Sequence, residues 1–582
     1  MSSPQFIMLC GVLLAADPTS TLESAVPGVG VNQASVAPEQ LVRAALRQEI
    51  EGNPSERQAL LQTALELDSN YAPARWHLGQ VEYTGQWFSP SEISAKIAQD
   101  PRYLKYREAR PRYADHAKDH FEFARWCQAH DLPLEQRAHL LTAAHLDPNN
   151  PQWQRALGRS LHEGLWMTDE QFADAKRRYE QAIAAYHEWK PKLHRLRRAI
   201  EKTRARGESY GANAALYDIK DPTAIPALEE VFSLTNEDLA LRAIDVLRRM
   251  IHQDATRSLV RHAVWSQWAS VRQEAISELQ TRDPDFFMPL LIDYLRPARS
   301  GEAWVRLGDG RPAGIWLIQD FNTNYVDVAI SSAIAINRGR ISPEQRKEEV
   351  RFQFSRVDEG NQNRMQNTLT ALHAITGEKL EADQTAWRKW WAGVNHVFYQ
   401  FSQSDEPHRQ TTRRTRRVAL FGLPGTSCFV SGTPVWTRHG VIPIDQIQQG
   451  DLVLSADPDT GELAYRAVVE RTIRPRTEIS NLQVNGESLG ATLGHPIWVS
   501  GKGWVKVKDL ETADPLRGCG EIHALDSMTE GKPAMAYNLV VAEFHTYFVG
   551  ESKVLVHDNT PITDSLLKVP GLKPTSGELP AE

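Results

Sequence analysis

The strongest constraint on this chain is that part of it is written twice. Residues 56–87 (ERQALLQTALELDSNYAPARWHLGQVEYTGQW) return at 135–166 as EQRAHLLTAAHLDPNNPQWQRALGRSLHEGLW, Asp147 standing 79 positions after Asp68. Ala59/Ala138, Leu61/Leu140, Leu67/Leu146, Asn70/Asn149, Leu78/Leu157, Gly79/Gly158, Gly85/Gly164 and Trp87/Trp166 coincide. Each copy sets apolar residues at helical spacing and then an Asp-x-Asn turn. It is expected to continue into a second helix holding the Leu-Gly pair, before Gly and Trp close the unit. Such a unit cannot bury its apolar stripe alone, so copies must stack.

A second period, of 32 residues, follows between about Asp221 and Leu295, with Ala243, Ile244 and Leu247 answered by Ala275, Ile276 and Leu279. Pro226-Ala-Leu and Pro289-Leu-Leu stand two such periods apart. The first array resembles tetratricopeptide repeats and the second resembles short HEAT repeats. Its Trp and Leu positions read as core rather than as a cofactor site. VRLGDGRPAGIWLIQ, turning at Asp309-Gly310, predicts a β-hairpin set into the array. Trp387, Trp390 and Trp391 share one helix face and are expected to cap it.

At 582 residues the chain exceeds what one core can organise. A composition of 41% hydrophobic and 24% charged residues argues against wholesale disorder. The net charge of −7 supplies no global positive field for nucleic acid. Four cysteines (Cys10, Cys127, Cys428, Cys519) are too few and too scattered for a disulfide framework or a Cys-based zinc site. Phe6–Ala16 is apolar, too short to span a bilayer and long enough for the core of a signal peptide. It carries no preceding Lys or Arg, which leaves a buried first helix as the other reading. Export to the periplasm, cell surface or medium is the expectation; a cytoplasmic location stays open.

Ser402–Arg417 carries five arginines and reads as a solvated linker, with a polyanion contact as the other reading. Beyond it, runs such as GDLVLSA, AYRAVVERTI and HPIWVSGKGWVKV predict an all-β domain. Here GTSCFVSGTPVWTRHGVIPIDQIQQGDLVLS resembles the opening block of a Hint (Hedgehog/intein) domain of the bacterial secreted or polymorphic-toxin kind. ATLGHPIWV is similar to that family's T-x-x-H block, and AYNLVVAEFHTYFVGESKVLVHDN resembles its last two blocks in order and spacing.

The resemblance implies a multidomain chain, an α-solenoid followed by an all-β Hint domain. The expected order is a signal peptide at 1–16, a flexible lead-in at 17–38, tetratricopeptide-like repeats at 39–200 and HEAT-like repeats at 201–300. A hairpin insertion at 301–342, a helical cap at 343–400, a linker at 401–427, the Hint domain at 428–559 and a short tail at 560–582 complete it.

The same resemblance assigns chemistry. Cys428 would attack the carbonyl of Ser427 through a five-membered ring, turning the peptide into a thioester. His495 would act as the acid on the leaving nitrogen, and Thr492 would hydrogen-bond the scissile peptide and help hold the oxyanion. His545 and His557 match the two histidines that assist C-terminal cleavage. There the sequence departs from the family: Asp558 follows His557, and Asn559 is displaced by one. Either Asp558 stands in for the usual Asn, or Asn559 acts in a shifted register. Asn538 replaces an aspartate that many inteins place there. Twenty-three residues follow Asn559, a poor cargo, so N-terminal cleavage that frees the repeat region is expected over splicing. Cys519 and Cys127 read as buried small hydrophobes. The implied substrate is the chain's own polypeptide, with an unknown protein partner on the repeat surface. No nucleic acid, cofactor, resident metal or integral membrane segment beyond the signal peptide is expected. The alternative is a non-enzymatic interaction scaffold with an inactive Hint module.

Overall fold

The computed structural model describes residues 37–162, 165–204, 210–295, 299–306, 312–319, 362–395, 427–560, 562 and 567–572. The signal-peptide reading at 1–16, most of the lead-in and the Arg-rich run at 402–417 lie outside these residues. The chain divides into two compact units, one built on Thr19–Asp174 with Phe421–Glu582, the other on Ala175–Trp391.

In the first unit, proline opens one helix after another, where its missing N–H costs nothing. These are α1 (Pro38–Ile50), α2 (Pro54–Leu67), α3 (Ala72–His77, with Pro73 second), α4 (Pro90–Ala98), α5 (Pro101–Ala109), α7 (Pro133–Leu146) and α8 (Pro151–Ala156), while α6 (Ala117–Ala129) opens without proline. Ser89 and Glu92 close a capping box on α4, and Asp100 and Asn150 cap α5 and α8.

The duplicated segment folds alike in both copies, but its Leu-Gly pair ends the second helix instead of lying inside it. Gly79 (φ +76°) and Gly158 (φ +70°) are left-handed. Gln80 N–H donates to Arg75 O at 3.0 Å and Gly79 N–H to Trp76 O at 2.9 Å, and Arg159 and Gly158 repeat this on Gln154 and Arg155. That is a Schellman ending, which only a residue free of a Cβ closes without strain. Two-stranded hairpins follow, β1 (Val81–Tyr83) with β2 (Gln86–Phe88), and β3 (Ser160–His162) with β4 (Leu165–Met167). Positive φ at both Thr84 and Gly85 makes the first turn type I′.

The second unit opens with α9 (Asp169–Arg204) and α10 (Tyr210–Tyr217), then stacks α11 (Ile225–Leu228), α12 (Glu237–Arg248), α13 (Gln253–Trp265), α14 (Ala269–Leu279) and α15 (Met288–Asp293). All six residues of the 32-residue correspondence are buried on α12 and α14. Arg282 clips the stack by donating to Met250 O at 2.9 Å and Leu247 O at 3.0 Å. A hairpin of β5 (Arg299–Arg306) and β6 (Pro312–Gln319) is present, its turn at 307–311 lying outside the described residues. Helices 362–376 and Gln384–Asn395 follow, with Trp387 and Trp391 buried and Trp390 half-buried.

The β domain consists of β7 (Phe429–Val430), β8 (Pro434–Thr437), β9 (Gly440–Pro443), β10 (Leu452–Ala456), β11 (Leu463–Val484), β12 (Glu487–Ala491), β13 (Pro496–Val499), β14 (Gly503–Lys506), β15 (Pro515–Arg517), β16 (Ile522–Val541), β17 (Thr546–Val549) and β18 (Val554–His557). Two long strands, β11 and β16, pair antiparallel from Val468↔Val541 to Val484↔Leu525, with register shifts that bend them. β7 is wedged between β12 and β16, with Phe429 opposite both Ala491 and Tyr537.

Several strands are buried on both faces. In β10, Val453 points into the inner core while Leu452 and Leu454 point out into a second cluster. The same split sends Trp498, Phe548 and Leu555 outward from β13, β17 and β18, away from Ile497, Tyr547 and Val556. The outward cluster is completed by Phe123, Leu141 and Trp153 of the N-terminal helices. These helices are therefore the second layer of the β domain.

Candidate functional site

The wedge of β7 presents the bond that precedes it. Cys428 N–H donates to Thr492 Oγ1 at 2.9 Å, and Cys428 O accepts from Thr492 N–H at 2.9 Å. Thr492 thus grips the nitrogen side of the Ser427–Cys428 peptide. The carbonyl side is met by another residue: Asn538 Nδ2 donates to Ser427 O, and to Ser427 Oγ at 3.2 Å. The Asn538 amide cannot turn over, because its Oδ1 already accepts from Tyr547 O–H at 2.6 Å and Leu539 N–H at 2.7 Å. So the side chain that touches the Ser427 carbonyl is Asn538, while Thr492 touches the Cys428 N–H. The sequence marked Asn538 as a departure from the family without showing that it touches the carbonyl.

Cys428 is fully buried among Ile479, Ala536 and the half-buried Val430. Burial pushes its thiol up to about 12, against a downward pull from Arg474. Arg474 stands opposite Ala536 in the β11–β16 register, and Ala536 stands opposite Val430. His495, fully buried, lies three residues after Thr492 with its ring 4.2 Å from that of Phe429. Burial, aided by His557, drives its imidazole down to about 3, although the main chain of Ser427 and the charge of Asp558 pull the other way. Neither ring nitrogen has a hydrogen bond of good geometry, and burial keeps the ring neutral.

The C-terminal residues gather one strand position away. Asn559 N–H donates to Leu539 O at 2.8 Å, so both junctions meet at Asn538–Leu539. His557 Nδ1 lies 3.1 Å from Asp558 O, beside the 558–559 peptide. The Asp558 side chain is taken up by its neighbours. Its carboxylate accepts from Val541 N–H and Thr560 N–H, each at 2.7 Å, and pairs with His545 Nδ1 at 3.2 Å. Although burial raises its carboxyl, His545 and His557 hold it below its ordinary value. Burial pulls the His545 imidazole down, but the hydrogen bond to Asp558 and the charge of Asp558 together leave it raised. The Asn559 amide donates to Thr472 Oγ1 at 3.1 Å, while its buried Oδ1 has no partner. Cys519 meets the turn at Gly79, its Sγ 3.9 Å from Gly79 O, and Cys127 is buried on α6. Among the described residues, no group of three or more His, Cys, Asp or Glu is placed to hold a metal ion. Nor, among these residues, is any helix long and apolar enough to cross a membrane.

The C-terminal β fold is that of a Hint domain, a class that processes its own chain. In particular, residues 435–559 match the pretoxin Hint family, and the C-terminal domain is of that type. Similar solved structures include a bacterial intein-like domain from Clostridium thermocellum, 34% identical over 23% of this chain and 99% of that one, with a TM-score of 0.22. The gp41-1 intein is 18% identical over 23% and 99% (TM-score 0.21), and a DnaB intein from Synechocystis sp. PCC 6803 is 15% identical over the same shares (TM-score 0.21). No curated protein matches the chain.

Proposed function

We propose that this protein cuts its own backbone at Ser427–Cys428. The observation that carries the reading is the scissile peptide gripped at both ends, its N–H by Thr492 and its carbonyl by Asn538. Neutral His495 takes the Cys428 thiol proton, and the sulfur adds to the Ser427 carbonyl carbon. Asn538 donates to the oxygen that becomes anionic. His495, now a strongly acidic imidazolium, returns the proton to the Cys428 nitrogen, and the C–N bond breaks to leave a thioester and a free amine. Water then breaks the C–S bond, giving a Ser427 carboxylate and restoring the thiol. Residues up to 427 lose their covalent tie to the rest.

Cleavage after Asp558 or Asn559 has less support, since Asp558 is consumed by structural hydrogen bonds. A pretoxin-type Hint domain fits a secreted, toxin-like protein, and we assign export on that ground. One observation favours an inactive module: the thiol is sealed in apolar surroundings and pushed up to about 12. Intact-mass analysis with and without hydroxylamine decides between the two. Self-cleavage requires fragments divided at 427/428 that Cys428→Ala abolishes; an uncut wild-type chain under hydroxylamine supports the scaffold.

A further inference from the structure

We infer that the N-terminal helices, residues 38–167, form a permanent half of the processing domain and stay bound to it after the backbone is cut. In structural terms, the partner of the outward face of the β sheet is this chain's own N-terminus. The inference takes its biological meaning from the self-cleavage reading, but the interface stands without it.

Three observations carry it. The outward face is apolar: Leu452, Leu454, Trp498, Phe548 and Leu555 are all buried in one cluster with Phe123, Leu141 and Trp153. Charges cross the boundary where water cannot reach. Glu49 on α1 is 2% exposed and takes Arg57 Nε at 2.8 Å from its own side. From the β domain it takes Ser500 Oγ at 2.8 Å and Arg517. Arg517 also reaches His77 Nδ1 at 3.0 Å, and Arg438 pairs with buried Glu135 of α7. Lastly, backbones touch. A Cβ on Gly79 would lie 2.8 Å from Cys519 O, and one on Gly520 2.8 Å from Leu78 C. The tail joins the same interface, with Val569 fully buried among Val42, Leu46, Leu61 and Ala74.

An isolated sheet would expose that apolar face together with two arginines built to meet buried carboxylates. The helices cannot leave without the same loss. The cut therefore yields a nicked two-chain complex, not a freed repeat region.

The test makes the cut independently of the chemistry. A site-specific protease sequence is placed within 402–417 of the full-length Cys428→Ala chain, and the cut protein is run on a sizing column. The expected result is co-elution at the size of the uncut 65.6 kDa chain, with separation only in denaturant. Fragments that part under native conditions, soluble or precipitated, overturn the inference. In the cut protein, Glu135→Arg should weaken retention by about a hundredfold or more, and adding Arg438→Glu should recover most of it. Equal retention in all three also overturns it. Because the cut is made by an added protease, an inactive Cys428 would not alter these outcomes.

Discussion

Asn538 shows how much one amide can decide. Its oxygen is occupied by Tyr547 O–H and Leu539 N–H, which aims its N–H2 at the Ser427 carbonyl. Removing one oxyanion donor of this kind costs about a hundred- to a thousandfold in rate. Asn538→Ala should slow hydroxylamine-induced cleavage at 427/428 by that amount without loss of the fold. Tyr547→Phe leaves the donor and removes one of the two bonds that fix the amide, and should give a smaller loss. Equal rates in Asn538→Ala and wild type, followed by mass spectrometry, would remove Asn538 from the chemistry. Asp558 differs in that its carboxylate is already engaged by Val541 N–H, Thr560 N–H and His545. Asp558→Asn swaps an acceptor oxygen for a donor among Val541 N–H, Thr560 N–H and His545. It should cost about 1–3 kcal/mol in urea denaturation and should not release a fragment ending at residue 558.

Among the elements, the two duplicated copies form a natural control. Gly79 and Gly158 end equivalent helices in the same left-handed conformation, yet only Gly79 sits against another backbone. Gly158→Ala should cost about 1–2 kcal/mol for the forced φ alone. Gly79→Ala should cost clearly more, because its Cβ would meet Cys519 O. Parallel thermal melts check this, and equal losses would mean the contact gives way freely. The duplication was legible from residue identities, but periodicity alone could not separate a Leu-Gly pair inside a helix from one that ends it. The four Hint blocks pointed to residues that the fold gathers: Cys428 immediately before β7, and Thr492 and His495 in the β12–β13 turn, with Thr492 bonded to Cys428. Docking was harder to read. Glu49 and Arg517 are 468 positions apart, and an acidic residue on an amphipathic helix looks the same whether it meets water or a buried arginine. One signal was there to be used: LVL, PIWV, YFV and VLV do not alternate, and unbroken apolar strands need cover on both faces.

For the whole molecule, the helix–sheet boundary ties stability to pH. Burial, with help from neighbouring arginines, drives His77 and His139 well below their ordinary values and His439 down to about 4. His120 is likewise pushed down to about 4, against a pull from Asp115 and Asp119. An unfolded imidazole protonates near 6.5, whereas these stay neutral until much lower pH. Their contribution is thus complete above about 6.5 and is lost as pH falls toward 4. The loss is about 1.4 kcal/mol per pH unit for each histidine. Glu49, held low by Arg517 and Arg57 against its burial, is lost in the same direction. Asp451 opposes them, since burial raises it to about 6 and its protonation in this window favours the fold. At this boundary four histidines against one carboxyl leave a net loss; in the β domain the lowered His495 adds to it and the raised His545 opposes it. The melting temperature should therefore fall steeply between pH 6.5 and 4.5, and the protease-cut complex should part over the same range on a sizing column. A melting temperature flat down to pH 4.5 would mean that water reaches these histidines and that the boundary is looser than its burial implies.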